Sequence, residues 1–210
     1  MTLAVSPAVV VFDFDGTLVD SFDWFCRTQA RLAAEYRFRA FDLSELDAVR
    51  SKGARELMRA CGVRWWQVPS VTRRARSLML EELDEISAFP GVDEALDVLR
   101  RKGVRLALVT SNSAENVRRI LGERTLARFE HVACGAPLLG KARKLKAVVR
   151  ACGVPRDRVL CIGDEIRDAD VAKALGIPFR GVSWGYTLPA ALQAHSALPL
   201  FTTPAEWALL

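Results

Sequence analysis

Val9-Val10-Val11-Phe12-Asp13-Phe14-Asp15-Gly16-Thr17-Leu18 is an apolar run that stops at two aspartates one residue apart, followed at once by Gly-Thr. Such a run reads as a strand buried on both faces, in the middle of a parallel sheet. Asp13 and Asp15 then stand at its carboxyl end, where open α/β sheets bind ligands. Residues i and i+2 of a strand point the same way, so both carboxylates face one small volume. Two like charges held that close cost free energy unless a cation neutralises them or one stays protonated. The spacing therefore calls for a divalent metal and acid–base chemistry. A lone Asp-Gly would be a plain turn at a strand end; the rest of the chain argues otherwise.

With 210 residues, half of them hydrophobic, the chain has room for one sizeable domain, or a core with a smaller insertion. The cysteines 26, 61, 134, 152 and 161 form no CxxC pair, and two histidines give no zinc-site spacing, so a reducing cytoplasm is the expected compartment. Cys134 and Cys161 lie in apolar runs and are expected in the core. Residues 1–8 have neither a basic region nor a long apolar segment, so no signal peptide is expected. No apolar stretch has membrane-spanning length, and no membrane partner is expected. The net charge of +5 comes without an aromatic-interleaved basic patch, a finger or a helix-turn-helix pattern. An anionic small substrate accounts for that charge better than nucleic acid does.

Helical spacing recurs through Phe22, Phe25, Leu32, Ala33 and Tyr36, again over 46–62 and again over 70–87. Residues 19–86 thus read as all-helical. Pro90-Gly91 punctuates, and the pattern then alternates: helix 92–102, strand 104–110, helix 114–121, strand 131–134, helix 143–152, strand 158–162, helix 168–175 and strand 179–183. Strands separated by single helices imply parallel pairing, so the fold class is α/β with a helical block inserted after the first strand. Pro204 to Trp207 opens a last short helix.

Three further strand ends carry polar groups. Leu106 to Thr110 runs into Ser111-Asn112-Ser113, which opens a helix and reads either as a phosphate site or as a helix cap. Val159 to Ile162 runs into Gly163-Asp164-Glu165-Ile166-Arg167-Asp168. There Asp164 and Asp168 stand four apart on one face of a helix start, and hard oxygen ligands of this kind suit magnesium. Lys141 lies four residues before Leu145 and extends the inward stripe of Leu145, Val148, Val149 and Cys152. Lys144 and Lys146 fall off that stripe. Lys141 is therefore the lysine expected in the site, as a point charge for phosphate oxygens.

These four signals, in order at four strand ends, resemble the haloacid dehalogenase-like hydrolase superfamily, whose motifs are DxDGT, a Ser or Thr after a strand, a Lys, and GDxxxD. DFDGTLVDS from Asp13 to Ser21 and LVTSN over 108–112 resemble its phosphoglycolate phosphatase-like branch. Such enzymes often have Lys-Pro at the third motif, where this chain has Lys141-Ala142. The resemblance implies a Rossmann-like parallel sheet core flanked by helices, 1–18 with 87–210, and a helical cap over 19–86.

It also implies a Mg²⁺-dependent phosphatase acting through an aspartyl-phosphate. Asp13 would be the nucleophile, and Asp15 would protonate the leaving oxygen and then take a proton from water. Asp13, Asp164 and the backbone carbonyl of Asp15 would hold the metal. Gly16 would let the backbone approach phosphate, Ser111, Asn112 and Lys141 would contact its oxygens, and Thr17 would orient Asp15. Asp168 would stand behind these, or hold Lys141. An acid at position 15 disfavours carbon–halogen and phosphonate substrates. A phosphomutase uses the same residues and stays open, and a non-catalytic regulatory protein on this scaffold would be expected to have lost an aspartate. A phosphoaccepting receiver domain is usually shorter and lacks the insertion.

The expected partner is a small phosphorylated metabolite, a phosphoglycolate-like acid or a sugar phosphate. The insert carries Arg50, Lys52, Arg55, Arg59, Arg64, Arg73, Arg74 and Arg76 against Glu56 alone over 50–76. Arg50 or Lys52, beside Gly53, is expected to reach a second anionic group on the substrate, and the remaining cations to be solvated helix faces. Trp65-Trp66 reads as packing within the insert or an exposed interface. The oligomeric state is not legible.

Overall fold

The fold is that of a computed structural model, which describes residues 6–136 and 140–210. Residues 1–5 of the expected first core segment, which include most of the segment read for a signal peptide, and 137–139 of the second lie outside the described residues.

Strand β1 (Val9–Phe12) leads to a two-residue strand β2 (Val19–Asp20). Helices α1 (Phe22–Tyr36), α2 (Leu46–Arg50), α3 (Ala54–Ala60) and α4 (Val68–Glu81) follow, and β3 (Ser87–Ala88) brings the chain back. The alternating part is α5 (Val92–Arg101), β4 (Arg105–Val109), α6 (Ala114–Leu126), β5 (Phe129–Ala133), α7 (Lys141–Cys152), β6 (Val159–Gly163), α8 (Ile166–Ala174), β7 (Phe179–Gly181) and α9 (Pro189–Gln193).

Five strands form one parallel sheet in the order β5-β4-β1-β6-β7. The chain steps from β1 to β4 on one side and returns to β6 on the other, so β1 borders the point where strand order reverses, where such sheets bind ligands. Strand alternation splits the core in two. Phe12, Leu106, Leu108, Leu160 and Ile162 face one layer, closed by the fully buried Trp207, whose ring lies 4.8 Å from that of Phe12. Val9, Val11, Ala107, Val109 and Cys161 face the other, against Leu145, Val148 and Val149 of α7. Each fully buried aliphatic side chain contributes roughly 1.5–3 kcal/mol, which is why a strand apolar on both faces sits centrally.

Several expectations need correction. The stretch 19–86 is not all helix: Val19 pairs with Ala88 and Asp20 with Ser87 in an antiparallel ribbon. The chain leaves the core and returns side by side there, so the two extended crossings satisfy each other's backbone groups. The single helix expected over 46–62 is two, because Gly53 adopts an extended conformation (ψ 154°) and starts α3 afresh. Helix α6 passes beyond 121 through a kink at Gly122, whose φ of 73° only glycine adopts cheaply. Helices α7 and α8 each begin two residues earlier than expected, at Lys141 and Ile166. Pro204–Leu209 is a 3₁₀ helix. Cys161 is buried, whereas Cys134 is only half-buried. Among the described residues no helix is long and apolar enough to cross a membrane.

Candidate active site

Register brings the polar strand ends together. Phe12 stands opposite both Leu108 and Ile162, so Asp13, Thr110 and Asp164 leave the sheet at nearly one level. The Asp13 N–H donates to the Ile162 carbonyl at 2.9 Å, carrying the ladder one residue further and aiming the carboxylate over the edge.

Asp13, Asp164 and Asp168 are all buried, and each offers a carboxylate oxygen within 4.8 Å of the other two. Asp164 is held at both oxygens: the Thr17 hydroxyl donates to Oδ1 and the Tyr186 N–H to Oδ2, each at 2.8 Å. Thr17 thus orients Asp164, not Asp15 as expected. Asp15 is instead held by the Asn112 amide, which donates to both its oxygens at 3.1 Å, and by the Ser21 hydroxyl at 3.2 Å. Asn112 was expected on phosphate. Its Oδ1 is occupied as well, by the Ser113 and Asn116 N–H groups, so it is a fixed bracket for Asp15.

The expected helix cap at this turn is Ser113, which accepts from the Asn116 N–H at 3.1 Å. That leaves Ser111, which lines the acidic cleft. Lys141 is buried at the start of α7, with Nζ 2.8 Å from Asp13 Oδ2 and 2.5 Å from Asp168 Oδ1. Lys144 points off the stripe and donates to the Cys134 carbonyl. Gly16 has φ 73°, and a Cβ there would lie 2.3 Å from Asp164 Oδ2 and 2.7 Å from Tyr186 Cδ1. Approach by these two side chains requires glycine at this position, apart from any approach by phosphate.

Carboxylates outnumber cations here. Burial pushes Asp13 up to about 7 despite Lys141 beside it. Burial raises Asp15 to about 6, with Asn112 and Ser21 pulling the other way. Asp164 is raised well above the carboxylate range by burial and then by its acidic neighbours. For Asp168 burial is outweighed by Lys141 and Arg167, and its carboxyl is held low. For Lys141 likewise the charges of Asp13 and Asp168 outweigh burial, and it stays protonated. Lys141 and Arg167 leave Asp13 and Asp164 under-neutralised, and the two have oxygen donors at one end of the cluster. A hard divalent cation fits that donor set. Asp168 joins the oxygen cluster more closely than the Asp15 carboxylate does, but Lys141 occupies one of its oxygens and the Glu165 N–H donates to the other at 3.4 Å.

Three residues join the site without a motif to mark them. Tyr186 lines the cleft and its hydroxyl lies 2.9 Å from Ser21 Oγ; the aromatic after a Gly beyond the last strand was the available clue. Arg167 lines it from inside the Gly-Asp motif and pairs with Glu165 at 3.0 Å. Arg76 reaches it from α4, donating to the Ser111 carbonyl. Arg50 and Lys52 do not line the cleft. Arg50 is engaged elsewhere, with its guanidinium on the Gly185 and Tyr186 carbonyls.

The profile of the family described as haloacid dehalogenase-like hydrolase matches residues 10–182. A phosphoglycolate phosphatase of Synechococcus elongatus is 30% identical over 94% of this chain and 93% of its own length. One from Caulobacter vibrioides is 31% identical over 92% and 89%. The solved structure of a haloacid dehalogenase-like family hydrolase from Streptococcus pneumoniae superposes with a TM-score of 0.77 at 19% identity, over 95% of this chain and 96% of that one. With the profile spanning most of the chain, and with an α/β core, a helical insert and an acidic sheet edge of this kind, the chain belongs to the haloacid dehalogenase-like hydrolase family and resembles its phosphoglycolate phosphatase-like branch.

Proposed function

We propose that this chain is a Mg²⁺-dependent phosphatase that hydrolyses a phosphomonoester metabolite through an aspartyl-phosphate on Asp13. The observation that carries the reading is the buried carboxylate cluster of Asp13, Asp164 and Asp168 at the sheet edge, in which Lys141 leaves Asp13 and Asp164 under-neutralised. Asp13 and Asp164, with the Asp15 backbone carbonyl, would hold the metal. When bound, Mg²⁺ neutralises charge on the transferring phosphoryl group.

Asp13 attacks phosphorus through one carboxylate oxygen as the bond to the leaving oxygen breaks, and the proton on Asp15 passes to that oxygen. Asp15, now ionised, takes a proton from water, whose oxygen attacks phosphorus and releases Asp13. A carboxyl near 6 serves both steps, since each protonation state is accessible near neutral pH. Ser21 and Asn112 fix its position. Lys141 keeps Asp13 aimed and supplies positive charge to the phosphoryl oxygens, and Ser111, which lines the cleft, would donate to them.

The same reading places the division of the chain at 1–18 with 87–210 for the catalytic core and 19–86 for the cap. It places the protein in the cytoplasm, which suits its free thiols. The test is hydrolysis of p-nitrophenyl phosphate and phosphoglycolate with Mg²⁺ and with chelator. Turnover that needs the metal supports the reading, and metal-independent turnover or none at all overturns it.

A further inference from the structure

Next to the acidic cleft lies a second, larger cavity of about 570 Å³, against about 170 Å³ for the cleft itself. It is walled by α3, α4 and the segment between them, with Gly135 after β5 on the core side. Thr72 and Arg76 line both spaces, so the two adjoin at these side chains. The charged side chains on its wall are Arg55, Arg59, Arg73 and Arg76, all of one sign. Among the described residues no carboxylate pairs with any of the four, whereas Arg74 beside them holds two.

Helix α4 makes the contrast within two turns. Arg74 turns away to Glu35 and Glu81, both at 3.2 Å, while Arg73 and Arg76 line the cavity unpaired. Arg76 spends one nitrogen on the Ser111 carbonyl, and its buried Nε has no acceptor. Between the arginines the wall is apolar, from Met58, Val63, Val68 and the exposed Trp65.

Four arginines on one wall with no acid among them make it positive; water and salt screen the exposed Arg55, Arg59 and Arg73, and a ligand of opposite sign would complement them. The ligand must also suit an apolar middle. A two-carbon acid attached to phosphate would stay within the small cleft and meet Arg76 at most. The larger space has the size that holds ligands of several rings or a long chain, roughly 300–1,000 Å³. We propose that this arginine-walled cavity receives the leaving group of the substrate, and that the leaving group is extended, apolar in its middle, and ends in a second phosphoryl group. This rests on the phosphatase reading and deepens it. The substrate would span from Asp13 and Lys141, past Thr72 and Arg76, to Arg59 and Arg73.

The test compares kcat/KM for p-nitrophenyl phosphate, phosphoglycolate, hexyl phosphate and hexanediol bisphosphate, with the butanediol and octanediol bisphosphates to set the span. The wild type is expected to prefer the best bisphosphate over the alkyl monophosphate of equal length by about 10- to 100-fold, the scale of charge-assisted contacts. The exposed substitutions Arg59→Gln and Arg73→Gln together should erase most of that preference and leave p-nitrophenyl phosphate turnover unchanged. Single variants, with thermal melts, stand in if the pair does not fold. Turnover of p-nitrophenyl phosphate with no bisphosphate preference, or a preference for phosphoglycolate, overturns the extended leaving group and spares the phosphatase reading. No turnover of any compound overturns both.

Discussion

The Arg50 guanidinium donates to the backbone carbonyls of Gly185 and Tyr186, at 2.8 and 3.0 Å, and so fastens α2 of the cap to the loop after β7. The backbone returns the contact, with the Leu188 N–H donating to the Arg50 carbonyl at 2.9 Å. The same side chain lies over the Phe22 ring, 4.9 Å from its centroid. A cation that sequence alone offered to the substrate is thus a latch between cap and core. Arg50→Ala is expected to lower kcat/KM by a similar factor on every substrate, p-nitrophenyl phosphate included, because it loosens the cap and reads no leaving group. Steady-state kinetics on two unlike substrates check this. A loss confined to acidic metabolites would restore Arg50 as a substrate contact.

The latch leads to Asp15. Tyr186 and Ser21 share a hydrogen bond at 2.9 Å, and Ser21 donates to Asp15 Oδ1 at 3.2 Å. Donors to a carboxylate favour its ionised form, so Ser21→Ala should raise the Asp15 pKa above its present value of about 6. The limb of the kcat/KM pH profile that belongs to Asp15 is expected to move to higher pH, with Mg²⁺ saturating throughout. An unmoved limb would remove Ser21 from the control of Asp15.

Asp13 and Asp15, raised to about 7 and about 6, make the metal-free protein sensitive to pH. Between the ordinary carboxylate value and these values the folded state binds more protons than the unfolded chain. Stability from these groups is therefore fully present at acid pH and is lost as pH rises through 6 and 7. Asp168, held low, is ionised in both states across that window and contributes no slope. On the proposed assignment Mg²⁺ would displace the protons that Asp13 and Asp164 retain, so its stabilisation should grow as pH climbs. Thermal melts with and without Mg²⁺ at pH 5 and pH 7.5 are expected to differ more at the higher pH. A larger metal effect at pH 5 would contradict the donor assignment.

Lys141 and Lys144 separate cleanly. Removing Lys141 leaves Asp13 and Asp168 buried without their shared cation, and breaking a buried pair from one side costs about 3–5 kcal/mol. Lys144 gives up only a contact to the Cys134 carbonyl. Urea unfolding of Lys141→Ala should show a loss of that size, and turnover should fall below detection. Lys144→Ala should change either by little. The reverse order would mean that α7 is misphased.

Most of the core was legible because its signals are local: Val9 to Phe12 is apolar on both faces and could only be a central strand, and Asp13, Asp15 and Asp164 follow strand ends directly. The Lys141 stripe was legible for the same reason, from four-residue spacing. Tyr186, Ser21 and Arg76 were not, because each acts through a partner far along the chain: Tyr186 through Asp164 and Ser21, Arg76 through Ser111. Thr17 was assigned to the nearer aspartate, and it binds the one 147 residues away. The ribbon of Val19 with Ala88 likewise needs two strands too short to announce themselves.

The central claim is that Asp13 carries the phosphoryl group, and acid-quench mass spectrometry of the enzyme during turnover of p-nitrophenyl phosphate with Mg²⁺ tests it most directly. The expected result is the mass of one phosphoryl group on the peptide holding Asp13, placed on Asp13 by fragmentation and lost in Asp13→Asn together with turnover. Turnover by Asp13→Asn, or a phosphoryl group trapped on any other residue, would contradict it.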